Sequence, residues 1–165
     1  MVSDTPRLSE EEMRAWLAYI DLSTLLGDYL ERQLQRDAGL SHATYNLLSR
    51  LSVAPDRSLR MSDLAKHLKV TRSRLSHALS ALEKRGWARR TDDPTDQRGQ
   101  LAVLTDEGFA VLAAAAPGHV AAARRAMFDH LTPDQVRQFA QIGEAIIKGL
   151  THEDDYQAEL PWRRR

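Results

Sequence analysis

No cysteine occurs among the 165 residues. That excludes disulfides, thiolate-ligated zinc and thiol-based redox sensing. No stretch approaches the ~18 apolar residues that span a bilayer. The first segment, MVSDTPRLSEEEM, is acidic and lacks an apolar signal core. A cytoplasmic location with no membrane partner is the expectation. Net charge is missing as well, because 23 Lys and Arg balance 23 Asp and Glu. The total therefore points to neither nucleic acid nor an anionic surface. Enzyme signatures are absent: there is no Gly-rich phosphate loop, nucleophile elbow, HExxH or paired-carboxylate pattern. No catalytic residue and no enzymatic activity are expected. His119 and His130 stand eleven positions apart, about 16 Å along one straight helix, too far to share an ion. No metal site and no cofactor are expected.

What is present is enough apolar sequence, 42%, to bury the core of one ordinary domain. The zero net charge also hides an asymmetry. Residues 57–98 hold eleven basic side chains against five acidic ones, and the rest of the chain carries the compensating acid excess. Fields act locally, so this segment matters more than the total.

Helix signals divide the chain. Ser9 and Glu12 form a capping-box pattern ahead of a long helix over 10–36 with a wide apolar stripe: Met13, Trp16, Leu17, Ile20, Leu25, Leu26, Tyr29, Leu30 and Leu34. Gly39 is its stop. Ser41 caps a second helix that Pro55 closes, and APDRS reads as a loop. A short helix covers about 62–68. Thr71 caps another that runs to Arg85, with Gly86 beyond its end. WARRT and QLAVL read as strands of a hairpin, separated by the long loop DDPTDQRG. Thr105 caps a helix expected to kink or break at Pro117-Gly118 and to resume through His130. Thr132-Pro133-Asp134-Gln135 starts the last helix, whose apolar side includes Val136, Phe139, Ile146, Ile147 and Leu150.

The helix after Thr71 carries the functional signal. Leu75, Ala78, Leu79 and Leu82 make a core stripe. At 100° per residue, Ser73, His77, Ser80 and Lys84 lie about 140–200° from Leu75, on the outer face. Arg72, Arg74 and Ser76 flank them. Small polar groups and cations on an outward helix face suit the major groove of duplex DNA. Two short helices, a tight turn and a two-stranded ribbon describe a winged helix-turn-helix. Arg98 at the ribbon tip suits a narrow minor groove. Asp96, two residues earlier, can hold the Arg98 guanidinium and brace the wing. Arg89 and Arg90 on the adjacent strand can meet phosphates.

The segment 61–108 resembles the DNA-binding lobe of the MarR (multiple antibiotic resistance regulator) family. The specific part is DPTDQRGQLAVLTDEG, residues 93–108, where Asp96, Arg98, Leu104, Thr105 and Gly108 match an Asp-x-Arg wing followed by Leu-Thr-x-x-Gly. The resemblance implies a mainly α chain: a winged helix-turn-helix with a small β-wing plus N- and C-terminal dimerisation helices. The divisions expected are 1–36 for the N-terminal dimerisation helix, 40–104 for the winged lobe, 105–150 for the C-terminal dimerisation helices and 151–165 for a tail. It also implies a homodimer, two winged lobes reading a pseudo-palindrome in double-stranded DNA, and a repressor released by a small-molecule effector. Thr71, Arg72, Ser73, Arg74, Ser76, His77, Arg89, Arg90 and Arg98 are the DNA-binding candidates. Arg14, Trp16 and Tyr19 on the first helix, with His42 and Tyr45 on the second, are candidates for an aromatic or anionic ligand. The rival reading is a sequence-indifferent architectural DNA-binding protein.

Overall fold

A computed structural model describes residues 7–94 and 96–150. Among these described residues, six helices and three strands follow in the order α1 (Glu10–Ala38), α2 (His42–Ser52), β1 (Ser58–Arg60), α3 (Met61–Leu68), α4 (Arg72–Lys84), β2 (Ala88–Asp93), β3 (Asp96–Leu104), α5 (Asp106–Ala126) and α6 (Pro133–Leu150). Short 3-10 turns at Pro55–Arg57 and Phe128–His130 precede β1 and follow α5. The chain is mainly α with a small wing.

The helix starts are set by side-chain caps. Ser9 and Glu12 bond reciprocally, Glu12 N–H donating to Ser9 Oγ at 3.2 Å and Ser9 N–H to Glu12 Oε2 at 2.7 Å. Ser41, Thr71, Thr105 and Thr132 accept from the backbone three residues on in the same way. Gly39 ends α1 in the left-handed region with φ 63°, which turns the chain back into α2 without a Cβ penalty.

One core holds the winged lobe together. Leu34 of α1 and Leu40 join Leu48 and Leu51 of α2, Leu64 of α3, Leu75, Leu79 and Leu82 of α4, Ala102 and Leu104 of β3, and Leu112 of α5. By contrast, residues 7–25 are exposed throughout, and α6 buries no residue at all. Leu17, Leu25, Ile142, Ile146 and Leu150 each leave more than half of their surface open.

The structure differs from the sequence-based expectations at four places. The wing is part of a three-stranded antiparallel sheet in the order β1-β3-β2, with Leu59 opposite Ala102 and Arg90 also opposite Ala102 from the other side. The APDRS segment forms the 3-10 turn and ends in Ser58, the first residue of β1, a strand that the sequence does not announce. The hairpin is also tighter than expected, since β2 and β3 run to Asp93 and from Asp96. Helix α5 passes through Pro117 without a break and stops at Ala126. Proline removes one backbone bond, but Leu112, Ala115 and Ala122 on either side are buried, and α5 lies along α1. Packing holds the helix together. Finally, Ala78 is exposed; it sits at the edge of the leucine stripe rather than inside it.

Candidate nucleic-acid interface

The turn between α3 and α4 is made by Lys69, in the left-handed region with φ 53°, and by Thr71, whose hydroxyl accepts from Arg74 N–H at 3.2 Å. The leucines of α4 are buried beneath it, so its opposite face is fixed outward. Thr71, Arg72, Ser73, Arg74, Ser76 and His77 are all exposed there. Lys66, Lys69 and Arg72 together line a shallow depression of about 320 Å³ beside the start of α4. The two lysines were absent from the sequence candidates; their signal was the basic run of segment 57–98.

The wing stands beside that helix. Arg89 on β2 is exposed. Arg90, its neighbour, is placed quite differently from the expected phosphate contact. Its guanidinium pairs with Glu83 of α4. It also donates to the Ser76 carbonyl at 2.7 Å and to Ser80 Oγ at 3.2 Å. Its backbone N–H donates to Glu83 Oε1 at 3.0 Å. A second anchor was also missed by sequence reasoning. Asp93, near the wing tip, has a side chain only 4% exposed and pairs with Arg60 Nε of β1 at 2.7 Å. Three-residue β1 carries no period of its own, so the sequence alone does not set Arg60 against the wing. Asp96 opens β3 opposite Asp93 and is exposed. The Arg98 backbone belongs to β3, but its side chain lies outside the described residues, and so does the expected Asp96–Arg98 brace. The tail 151–165 lies outside them too.

The Leu-Thr-x-x-Gly segment joins the wing to α5. Thr105 Oγ1 donates to the Gly86 carbonyl at 2.7 Å and accepts from Gly108 N–H at 3.0 Å. Thr105 N–H donates to the Trp87 carbonyl at 3.1 Å. Gly108 is required by space: a Cβ there would stand 2.0 Å from the Trp87 carbonyl oxygen.

The five ligand candidates fall into two groups within the chain. His42 and Tyr45 meet His119 of α5, with ring centroids 5.6 and 4.3 Å away. His119 Nδ1 lies 3.1 Å from Gln33 Oε1, and Gln33 donates to Asp37 at 3.1 Å. Burial, and then the nearby charge of His42, holds His119 below the usual histidine range; burial raises the Tyr45 hydroxyl. Trp16 and Tyr19 pack against each other at 5.9 Å on the exposed half of α1. The backbone N–H of His42 docks on Glu31, and at 1.5 Å per residue Tyr19 and Trp16 lie about 18 and 22 Å farther along the helix. Arg14 lines a separate open depression with Leu8, Met13 and Leu17. One chain does not bring all five together.

The pattern of the MarR family matches residues 38–99, which cover the α2–α4 core and most of the wing. The solved structure of Sco3205, a MarR family transcriptional regulator from Streptomyces coelicolor in complex with DNA, is 53% identical. It matches over 98% of this chain and 100% of that one, with a TM-score of 0.86. This chain belongs to the MarR family. Its members are transcriptional regulators, not enzymes. The helical frame and antiparallel wing described above are those of MarR structures. Among curated relatives, the transcriptional regulator PrsX of Escherichia coli is 32% identical over 54% of this chain and 48% of its own length. The transcriptional repressor YetL of Bacillus subtilis is 30% identical over 65% of this chain and 64% of its own. This chain thus spans about half to two thirds of the length of these curated relatives. No helix among the described residues is long and apolar enough to cross a membrane.

Proposed function

We propose that this MarR-family regulator is a homodimer that binds a pseudo-palindromic duplex DNA site in the cytoplasm and represses transcription from it. The observation that carries the reading is the outward face of α4, where Arg72, Ser73, Arg74, Ser76 and His77 stand exposed over buried leucines. No acidic side chain interrupts that row. Sco3205, similar over nearly the whole chain, was solved in complex with DNA. Repression is supported by the likeness to YetL.

Thr71, Arg72 and Ser73 at the start of α4 are assigned to phosphates and groove edges, Arg74 and His77 to bases, and Arg89 to phosphate. Arg98 is assigned to the minor groove, with Asp96 bracing it. Dimerisation is assigned to the apolar faces of α1 and α6, which one chain leaves uncovered. Release by a small aromatic or anionic ligand is assigned to His42 and Tyr45, where rings from α2 and α5 meet. The remaining candidates, Arg14, Trp16 and Tyr19, are reassigned to the dimer face.

The substitutions Arg74→Ala and Arg89→Ala test the reading together. Arg74→Ala is expected to cost about 1–3 kcal/mol on the preferred duplex and to relax base preference. Arg89→Ala is expected to weaken all duplexes alike and to lower the salt slope by about one unit. Equal losses on preferred and random duplexes for both variants would favour the architectural alternative.

A further inference from the structure

The Arg90 guanidinium makes several hydrogen bonds at once, and they go to three residues of α4. Ser76, Ser80 and Glu83 recur at the spacing that places side chains in one row of a helix. That row runs from Ser76 on the exposed face to Ser80 and Glu83, which are half-buried. The Arg90 guanidinium spans it, reaching the Ser76 carbonyl and Oγ, Ser80 Oγ and the Glu83 carboxylate. Its side chain is only 21% exposed. The contact to Ser76 goes to a backbone carbonyl at 2.7 Å, so the strand is tied to the helix axis and not only to mobile side chains. Glu83 completes the clamp from the other direction by accepting the Arg90 backbone N–H. Strand β2 is an edge of the sheet, and this bond satisfies a donor that the edge would otherwise leave open.

We propose that Arg90 is a positioning residue for sequence readout: it locks the wing at one angle to α4 and makes no DNA contact of its own. The proposal rests on the DNA-binding reading above. A winged regulator reads two grooves at once, and the two readouts reinforce each other only if helix and wing keep a fixed relation. A rigid fork with several donors can set that relation, whereas a single ammonium cannot. Glu83 is the partner position, since its charge is of the wrong sign to touch a phosphate.

The experiment takes the duplex that the wild-type protein enriches from a random pool, and a random duplex of the same length. Affinities for both are measured over a salt series for Arg90→Ala, Arg90→Lys, Glu83→Gln and the double variant Arg90→Ala/Glu83→Gln. Arg90→Ala is expected to bind the enriched duplex about tenfold more weakly, with random-duplex affinity and salt slope unchanged. Arg90→Lys and Glu83→Gln are expected to show the same loss of preference, and the double variant no further loss, because residues in one network couple. Glu83→Gln keeps the test open if Arg90→Ala fails to fold. A phosphate contact predicts the opposite pattern and would overturn the proposal: equal loss on both duplexes, a shallower slope, Arg90→Lys near wild type and Glu83→Gln neutral or tighter. Wild-type affinities for all four variants would overturn it as well. If the wild-type protein enriches no duplex, the DNA-binding reading itself falls, and Arg90 has no readout to position.

Discussion

Single residues in this chain do work that their immediate neighbours do not reveal. Gly108 shows this most simply. In sequence it is one glycine near a helix start; in the fold it is the place where α5 crosses the Trp87 carbonyl at contact distance. Gly108→Ala is expected to lose about 1–3 kcal/mol of stability through forced backbone displacement, measured by denaturant unfolding. An unchanged midpoint would mean that α5 can lift off Trp87 freely. Arg89 and Arg90 make the same point by contrast. They are identical and adjacent, yet one is exposed and the other is bonded to three residues of α4. Strand alternation alone separates their sides. The identity of the partners on the Arg90 side required the docking of β2 on α4, which no local pattern encodes.

Elements with strong local signals were legible in the sequence. Capped, striped helices such as α1, α4 and α6 were recognisable because the cap and the apolar period are both local properties. Strand β1 was not, since three residues, Ser-Leu-Arg, carry no usable period, and its existence depends on pairing with Leu101–Val103 of β3, far along the chain. Pro117 misled for a related reason: its local cost is real, but the packing of α5 on α1 outweighs it. The site showed the same division. The outer face of α4 follows from the spacing of three leucines, whereas the Asp93–Arg60 pair and the Gln33–His119 contact, 86 positions apart, are tertiary.

The α1–α2–α5 junction also has a pH signature. His119 faces Gln33 and, through it, Asp37 of α1; His42 and Tyr45 face it from α2. Arg36 pairs with Asp37, and Arg125 of α5 adds charge near the same carboxylate. The native state holds the imidazole below its ordinary value of ~6.5, so it binds fewer protons than the unfolded chain. The stability this gives is present above that ordinary value and is lost as pH falls through the lowered native one. Asp37 and Glu31, whose pKa values are also lowered, lose theirs only in the more acidic carboxylate range. Thermal unfolding of the wild type is therefore expected to shift down between pH 7.5 and 5.5, and His119→Gln is expected to flatten that shift. Parallel pH profiles for the two proteins would remove His119 from the account.

At the scale of the whole molecule, the chain divides into a well-packed winged lobe and two helical arms whose apolar faces lie open. Trp16, Leu17, Ile20 and Leu25 on α1, with Phe139, Ile142 and Ile146 on α6, expose 39% or more of their surfaces. A second copy covers such a surface economically, because a two-fold interface uses the same patch twice. Sedimentation equilibrium at micromolar concentration is expected to give twice the chain mass. Leu17→Glu with Ile146→Glu is expected to shift it to monomer and to weaken binding to a two-half-site duplex far more than to a single half-site. A folded wild-type monomer at that concentration would contradict the dimer.

The central claim is that the exposed face of α4 and the wing choose a DNA sequence. Selection of duplexes from a random pool by the purified wild-type protein, followed by competition against random duplex at fixed salt, tests it most directly. Enrichment of a two-fold pseudo-palindrome is expected, with half-sites about one helical turn apart. The selected duplex is expected to be preferred roughly 10³-fold or more over random duplex. A pool that stays random, with equal affinity for selected and unselected duplexes, would contradict it.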